Sequence, residues 1–359
     1  MKKQPSRFPD DSERLRKAVE AGESAPPDAP WFELEPSDDD PDLWLQGPRA
    51  DPDERAVVAE WAEAEASRAA QLARVAGRLG ALDDRLLRGP VGWRHRLALI
   101  EAADLSWFSG ERVSPDRLAL WTSMRLSGVQ EDVDALASTH WAVRRLKGGP
   151  GPLSDLAAFL DRRDPERLDK DAERFEDRAD AWLGVMKAAS SLHPITRACM
   201  GFHLWSLAGL SQNGPGIEAA VTVARVAAEP GRGAVFAPVA MGGAAGLRAA
   251  GLPSVRLARW LDGMENAIMT AMRHLDDVEK WAERARDRMA SLSGRTPAAL
   301  TAVFKDWPIV SAPMAETLTG ASRASVQRNL NWMADQGLVR EVTGQGRFRL
   351  WRIATRVEA

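Results

Sequence analysis

The sequence predicts a mainly α-helical protein that ends in a small α+β module. Three observations carry this prediction. Apolar residues recur at spacings of three and four through most of residues 54–304, strand-like alternation is scarce before residue 338, and residues 308–351 run as two short helical patterns followed by a glycine-containing hairpin pattern. The chain divides accordingly into an arm (1–53), an all-helical body (54–290), and a linker with the α+β module (291–359).

The arm is rich in Pro and Asp, with Asp38-Asp39-Asp40 at its centre and no sustained period, so it is expected to be partly irregular. Residues 1–55 hold eight Lys+Arg and 15 Asp+Glu, a net charge of −7 in a chain whose total is −3. An acidic head therefore precedes a mildly basic remainder. Trp31, Phe32, Leu34, Trp44 and Leu45 are too apolar for a purely solvated tail, and the arm is expected to be pinned in places. A solvated acidic face is the first reading of this charge, and shielding of a basic surface the second.

The body opens with an Ala-rich helical pattern over 54–88, in which Val58, Ala62, Ala66, Ala69, Leu72, Val75, Leu79 and Leu82 form one stripe. Further helices are expected over 93–103, 115–126, 129–147 and 153–160. Residues 164–191 carry Phe175, Trp182, Val185 and Met186 on an apolar stripe, and 195–210, 215–228, 254–289 and 296–304 complete the set. Six glycines between residues 230 and 251 predict a loop there. Gly231-Arg232-Gly233 is not followed by the Gly-Lys-Ser/Thr of a nucleotide-cradling loop. The helix ending near Met289 alternates Glu279, Glu283 and Asp287 with Lys280, Arg284, Arg286 and Arg288, as expected of a solvated connector paired at i,i+3 and i,i+4. Ser291-Leu292-Ser293-Gly294 links it to the module.

In the module, Ser311 is an N-cap residue with Pro313 in the first turn, and Met314, Ala315 and Leu318 lead to a stop at Gly320. Ser322 caps a second helix whose Val326, Leu330 and Met333 fall at i, i+4 and i+7, with Gly337 as the residue after its end. The opposite face carries Arg323, Ser325, Gln327, Arg328, Asn329 and Asn331, whose forked donors and amides suit base edges and phosphates in a major groove. Strands are expected over 338–343 and 347–351 around Gly344-Gln345-Gly346, with Val342, Phe348 and Leu350 apolar and Arg347, Arg349 and Arg352 basic. This order resembles a winged helix-turn-helix domain. It makes double-stranded DNA the expected partner, contacted by Ser322, Arg323, Ser325, Gln327, Arg328 and Asn331 from the recognition helix and by Arg347 and Arg349 from the wing. Residues 301–359 carry a net charge of +3, so one copy binds modestly and a homodimer presenting two recognition helices is the stronger arrangement. Protein docking is the competing use of such a module.

Composition bounds the rest. No run approaches the length of a membrane-spanning helix, the first 17 residues lack an apolar signal core, and Cys199 is the single cysteine. A cytoplasmic protein without membrane partners is expected.

His193-Pro194 begins the one stretch with the look of a catalytic signature. Here the chain resembles the Fic family, whose motif runs His-Pro-Phe, a variable residue, an acidic residue, Gly-Asn-Gly and Arg. Family members transfer a nucleotide, usually AMP, to a hydroxyl side chain. The resemblance implies His193 as general base, but Arg197 stands at the acidic metal ligand, Ala198 and Met200 at the glycines, Cys199 at the asparagine and Gly201 at the arginine. The metal site and anion cradle are thus missing. Glu101-Ala102-Ala103 and residues 106–110 resemble the Ser-x-Ile-Glu-Gly segment of Fic proteins, with Ser109 in place of the regulatory Glu, and residues 204–210 resemble the helix after the motif. Many Fic proteins also carry a C-terminal winged helix. What the resemblance implies is a degenerate Fic-like helical body, without cofactor or nucleotide transfer, that dimerises or meets a protein partner. The alternatives are a divergent transferase using His193 and an interaction scaffold that does not bind DNA.

Cys199 and His203 lie at i, i+4 and could share a metal with His193, yet no second Cys or nearby carboxylate completes the set, so no metal is expected. His95, His140 and His274 are isolated in the sequence and read as hydrogen-bonded or surface residues. Gly-x-Ser-x-Gly is absent.

Overall fold

The computed structural model describes residues 54–122, 133–162, 170–211, 216–344 and 349–354. The acidic arm, together with Arg347 and Phe348 of the expected hairpin, lies outside the described residues. The described chain is mainly α, with a small three-stranded antiparallel sheet near its C-terminal end.

Helices α1 (Glu54–Ser67) and α2 (Ala69–Arg88) replace the single helix expected over 54–88. The break at Arg68 resets the phase of the stripe. Trp61 and Ala64 are buried in α1 while Ala62, Ala66 and Ala69 are exposed, and in α2 the expected Leu72, Val75 and Leu82 do face the core. No Gly or Pro marks the break, so periodicity alone ran through it.

Next come α3 (Gly92–Phe108), α4 (Pro115–Thr122), α5 (Val133–Lys147) and the single turn α6 (Leu156–Phe159). They are followed by α7 (Lys170–Ala188), α8 (Pro194–Leu207) and α9 (Ile217–Ala227). Residues 195–202 of α8 are all buried, as are nine residues of the eleven in α9. A helix apolar on every side belongs at the centre of a core, and these two pack on each other. On the α7 stripe Phe175, Trp182 and Met186 are buried, and Val185 is half-buried.

The Gly-rich segment after α9 is a loop, as expected, but an interior one, with Phe236, Ala237, Val239, Ala240 and Met241 buried. Buried loop backbone needs partners, and carboxylates on α2 and α3 supply them. Asp83 Oδ1 accepts from the N–H groups of Gly233 and Ala234 at 2.8 and 2.7 Å. Glu101 Oε1 accepts from Val239 and Ala240 at 2.7 and 2.9 Å, and its Oε2 from Met241 at 3.0 Å. Gly246 and Gly263 let the loop lie against the next helix, since a Cβ on Gly263 would come within 2.8 Å of the Gly246 backbone.

That helix, α10 (Pro253–Met289), spans both apolar cores. The first core ends on it at Leu275 and the second begins at Val278. Its C-terminal half is more than a solvated connector: Val278, Trp281, Ala282, Ala285 and Met289 are buried, and Trp281 Nε1 donates to the Leu338 carbonyl at 2.7 Å. Glu279 reaches Arg85 of α2 at 2.7 Å and Lys305 at 3.9 Å, and Asp276 also reaches Arg85. Some of the charge that suggested pairing within the helix instead ties it to its neighbours.

The second core is completed by α11 (Thr296–Asp306), β1 (Val310–Ser311), α12 (Ala312–Thr319), α13 (Arg323–Asp335), β2 (Val339–Glu341) and β3 (Leu350–Ile353). The sheet order is β1-β3-β2, with Val310 opposite Trp351 and Arg340 opposite Arg352. Two strands were expected and three form; β1 is only two residues long, and its partner lies some forty residues away. The last strand, Leu350–Ile353 among the described residues, runs past the expected end at Trp351.

Candidate nucleic-acid interface

Local chemistry sets the two helices as expected. Ser311 Oγ accepts from Met314 N–H at 3.2 Å, and Gly320 closes α12 in the left-handed region at φ 64°. Ser322 Oγ accepts from Ser325 N–H at 3.4 Å, and Gly337, also at φ 64°, follows α13. Val326, Leu330 and Met333 are fully buried.

The outer face of α13 presents Arg323, Arg328 and Asn331 exposed and Gln327 half-buried. Gln327 Nε2 donates to Asn331 Oδ1 at 3.0 Å, so the two amides form one preset unit across a helical turn. Among the described residues neither Arg323 nor Arg328 is held in an ion pair.

Two residues expected on this face turn away from it. Ser325 Oγ lies 3.1 Å from Thr296 Oγ1 and joins α13 to α11. Asn329 is buried and donates to the Ser325 carbonyl at 2.8 Å. Asn329 stands three residues after Val326 and four before Met333, so the apolar spacing itself was the signal that places it inward.

The hairpin is partly committed. Arg349 Nε lies 3.6 Å from Glu341 Oε2. Arg352, expected as a basic wing residue, reaches Asp116 of α4 at 3.0 Å, and Arg340 reaches the same carboxylate at 3.3 Å. Like charges directly opposite in a sheet repel; Asp116, in the first turn of its helix, bridges this cross-strand arginine pair. Sequence reasoning passed over Asp116, which lies 224 residues from Arg340.

A second set of contacts fixes the module to α3. Trp93 Nε1 donates to the Lys305 carbonyl at 3.0 Å, and Arg96 Nη2 to those of Phe304 and Trp307 at 3.0 and 2.9 Å. These donors meet the carbonyls at the C-terminal end of α11, where a cation is favoured. Burial lowers the Arg96 guanidinium to about 10, partly opposed by Asp306.

His193, the candidate base of the Fic resemblance, is the N-cap of α8. Its Nδ1 accepts from Ile195 N–H at 3.2 Å, and its own N–H donates to Glu65 at 2.9 Å. Burial lowers its pKa, partly opposed by Glu65. Arg197 is paired with Glu229. Cys199 is fully buried, which pushes its thiol well up, and His203 stacks on Trp61 with its pKa lowered to about 4 by burial. Among the described residues no group of three or more His, Cys, Asp or Glu is placed to hold a metal ion, and no helix is long and apolar enough to cross a membrane.

No protein-family description matches this chain, and no curated protein matches it either.

Proposed function

We propose that this protein is a DNA-binding regulator whose module over residues 291–359 is a winged helix-turn-helix domain, with α12 as support helix and α13 as recognition helix. The observation that carries the reading is the outer face of α13, where, among the described residues, Arg323 and Arg328 stand without ion pairs beside the preset Gln327 and Asn331 amides. Free guanidinium forks and amides are the groups that read base edges in a major groove. The order helix, strand, helix, helix, strand, strand, with a first strand beside the last, supports the same reading. Ser322 opens the helix toward a phosphate and Arg349 serves the backbone from the wing, whereas Ser325 acts inside the module. Arg347, of the same wing, keeps its proposed role on sequence grounds alone.

The helical body is read as a Fic-like scaffold that dimerises or senses a protein partner, and dimerisation offsets the modest charge of one module. Its nucleotide-transfer chemistry is not part of this reading, because His193 uses its Nδ1 to cap α8.

Footprinting of the full chain on fragments of its own genomic neighbourhood, with competitor DNA, tests the proposal. A protected site with two half-sites about one helical turn apart is expected. Protection nowhere above competitor would turn the module into a protein-docking surface.

A further inference from the structure

A cavity of about 400 Å³ opens where the two apolar cores meet. Its size is that of a small-molecule site. Leu99 of the first core and Val278 and Ile353 of the second share its wall, and α13 contributes nothing to it. The polar lining is mixed: Arg96, Asp104, Asp116, Thr270, His274 and Arg352.

Two guanidinium groups stand in the wall: Arg96 is 7% exposed and uses Nη2 on two carbonyls, and Arg352 Nη1 lies 3.0 Å from Asp116. A carboxylate in the cavity would meet their positive charge. Opposite chemistry stands in the same wall. Asp104 accepts from Gly242 N–H at 3.2 Å; burial raises its pKa, partly opposed by that bond and by His274. Two arginines against two aspartates leave the lining close to neutral, which disfavours a multiply charged anion and favours an overall neutral ligand with separated charges.

We propose that this cavity binds a free amino acid, its carboxylate toward Arg96 and Arg352 and its ammonium toward Asp104. The occupant would touch both cores. Asp116, which holds Arg340 and Arg352 of the sheet, would feel its arrival, so occupancy biases how the C-terminal sheet sits against α4. That regulatory consequence rests on the DNA-binding reading; the binding itself does not.

Calorimetric titration of the full chain, without DNA, against each of the standard amino acids tests the site. At least one is expected to bind saturably at millimolar concentration or below, and its decarboxylated amine to bind at least about tenfold more weakly. His274→Phe, which fills the cavity, should abolish binding, and the near-isosteric Asp104→Asn should weaken it by about tenfold or more. Thermal unfolding of both variants shows whether they remain folded. Lack of binding by every amino acid, or affinity unchanged in folded Asp104→Asn, overturns the proposal. Amino-acid binding by a protein that footprints no DNA would leave the site standing and remove only its regulatory role.

Discussion

The two apolar cores differ in how far their polar side chains are already committed. In the first, from Trp61 to Leu275, polar groups are turned inward to satisfy backbone. Asp83 and Glu101 hold the interior loop, His193 caps α8, and Arg225 donates to the carbonyls of Gly148 and Gly149 at 2.9 and 2.8 Å. In the second, from Val278 to Ile353, Trp281 and Asn329 also donate to backbone carbonyls, but among the described residues the outer face of α13 keeps Arg323 and Arg328 out of ion pairs. A polar group tied to buried backbone has structural work already. One that stands exposed, unpaired and beside others of matching chemistry is available to a partner, and that contrast directs the functional reading to the C-terminal end.

The contrast can be broken from the inside of the second core. Leu330 is fully buried, so Leu330→Ala should cost about 2–5 kcal/mol in denaturant unfolding. A much smaller loss would mean that the module is loosely packed and that its outer face is not held rigidly.

Glu101 tests the first core. Replacing it with Gln turns one of its two acceptor oxygens into an amide donor that faces at least one of the three N–H groups, and should destabilise the protein by about 1–3 kcal/mol. Burial outweighs those three bonds and raises the carboxyl from 4.5 to about 7. The folded state therefore binds the extra proton between these values, so the Glu101 contribution to stability falls as pH rises from about 4.5 to about 7. Unfolding curves across that window should show the decline in the wild type and a flatter profile in Glu101→Gln. Equal slopes would show that Glu101 titrates alike folded and unfolded.

Smaller effects sharpen the same boundary. Ser322→Ala removes the cap of α13 and should cost about 1 kcal/mol in thermal or denaturant unfolding. Asp116→Asn frees Arg340 and Arg352, which pair with it at a partly exposed site, so stability should change by less than about 1 kcal/mol. Its signature is a rise in sequence-independent DNA binding, read by fluorescence anisotropy at low salt; unchanged binding would place that arginine pair away from the backbone path.

Much of the C-terminal module was legible because its determinants are local. Ser311, Gly320, Ser322 and Gly337 act within a few residues of themselves, and the Val326, Leu330, Met333 stripe needs one helix alone. What escaped depends on distant partners. The short strand Val310–Ser311 exists through pairing with Leu350 and Trp351, and Asp116 has meaning only beside Arg340 and Arg352. Glu101 was singled out in the sequence for a resemblance, whereas in the fold it receives the loop over 239–241. Of the candidate interface, Arg323, Gln327, Arg328 and Asn331 share one face, and Ser325 is drawn off it by Thr296, a residue of another helix that helical spacing cannot reveal.

The most direct test of the central claim compares wild type and Arg328→Ala on the same duplex at two salt concentrations. A site-specific complex is expected, weakened by about 1–3 kcal/mol in the variant, with unfolding stability unchanged. Weak binding that vanishes with salt alike in both proteins would contradict it, and would assign the outer face of α13 to a protein partner.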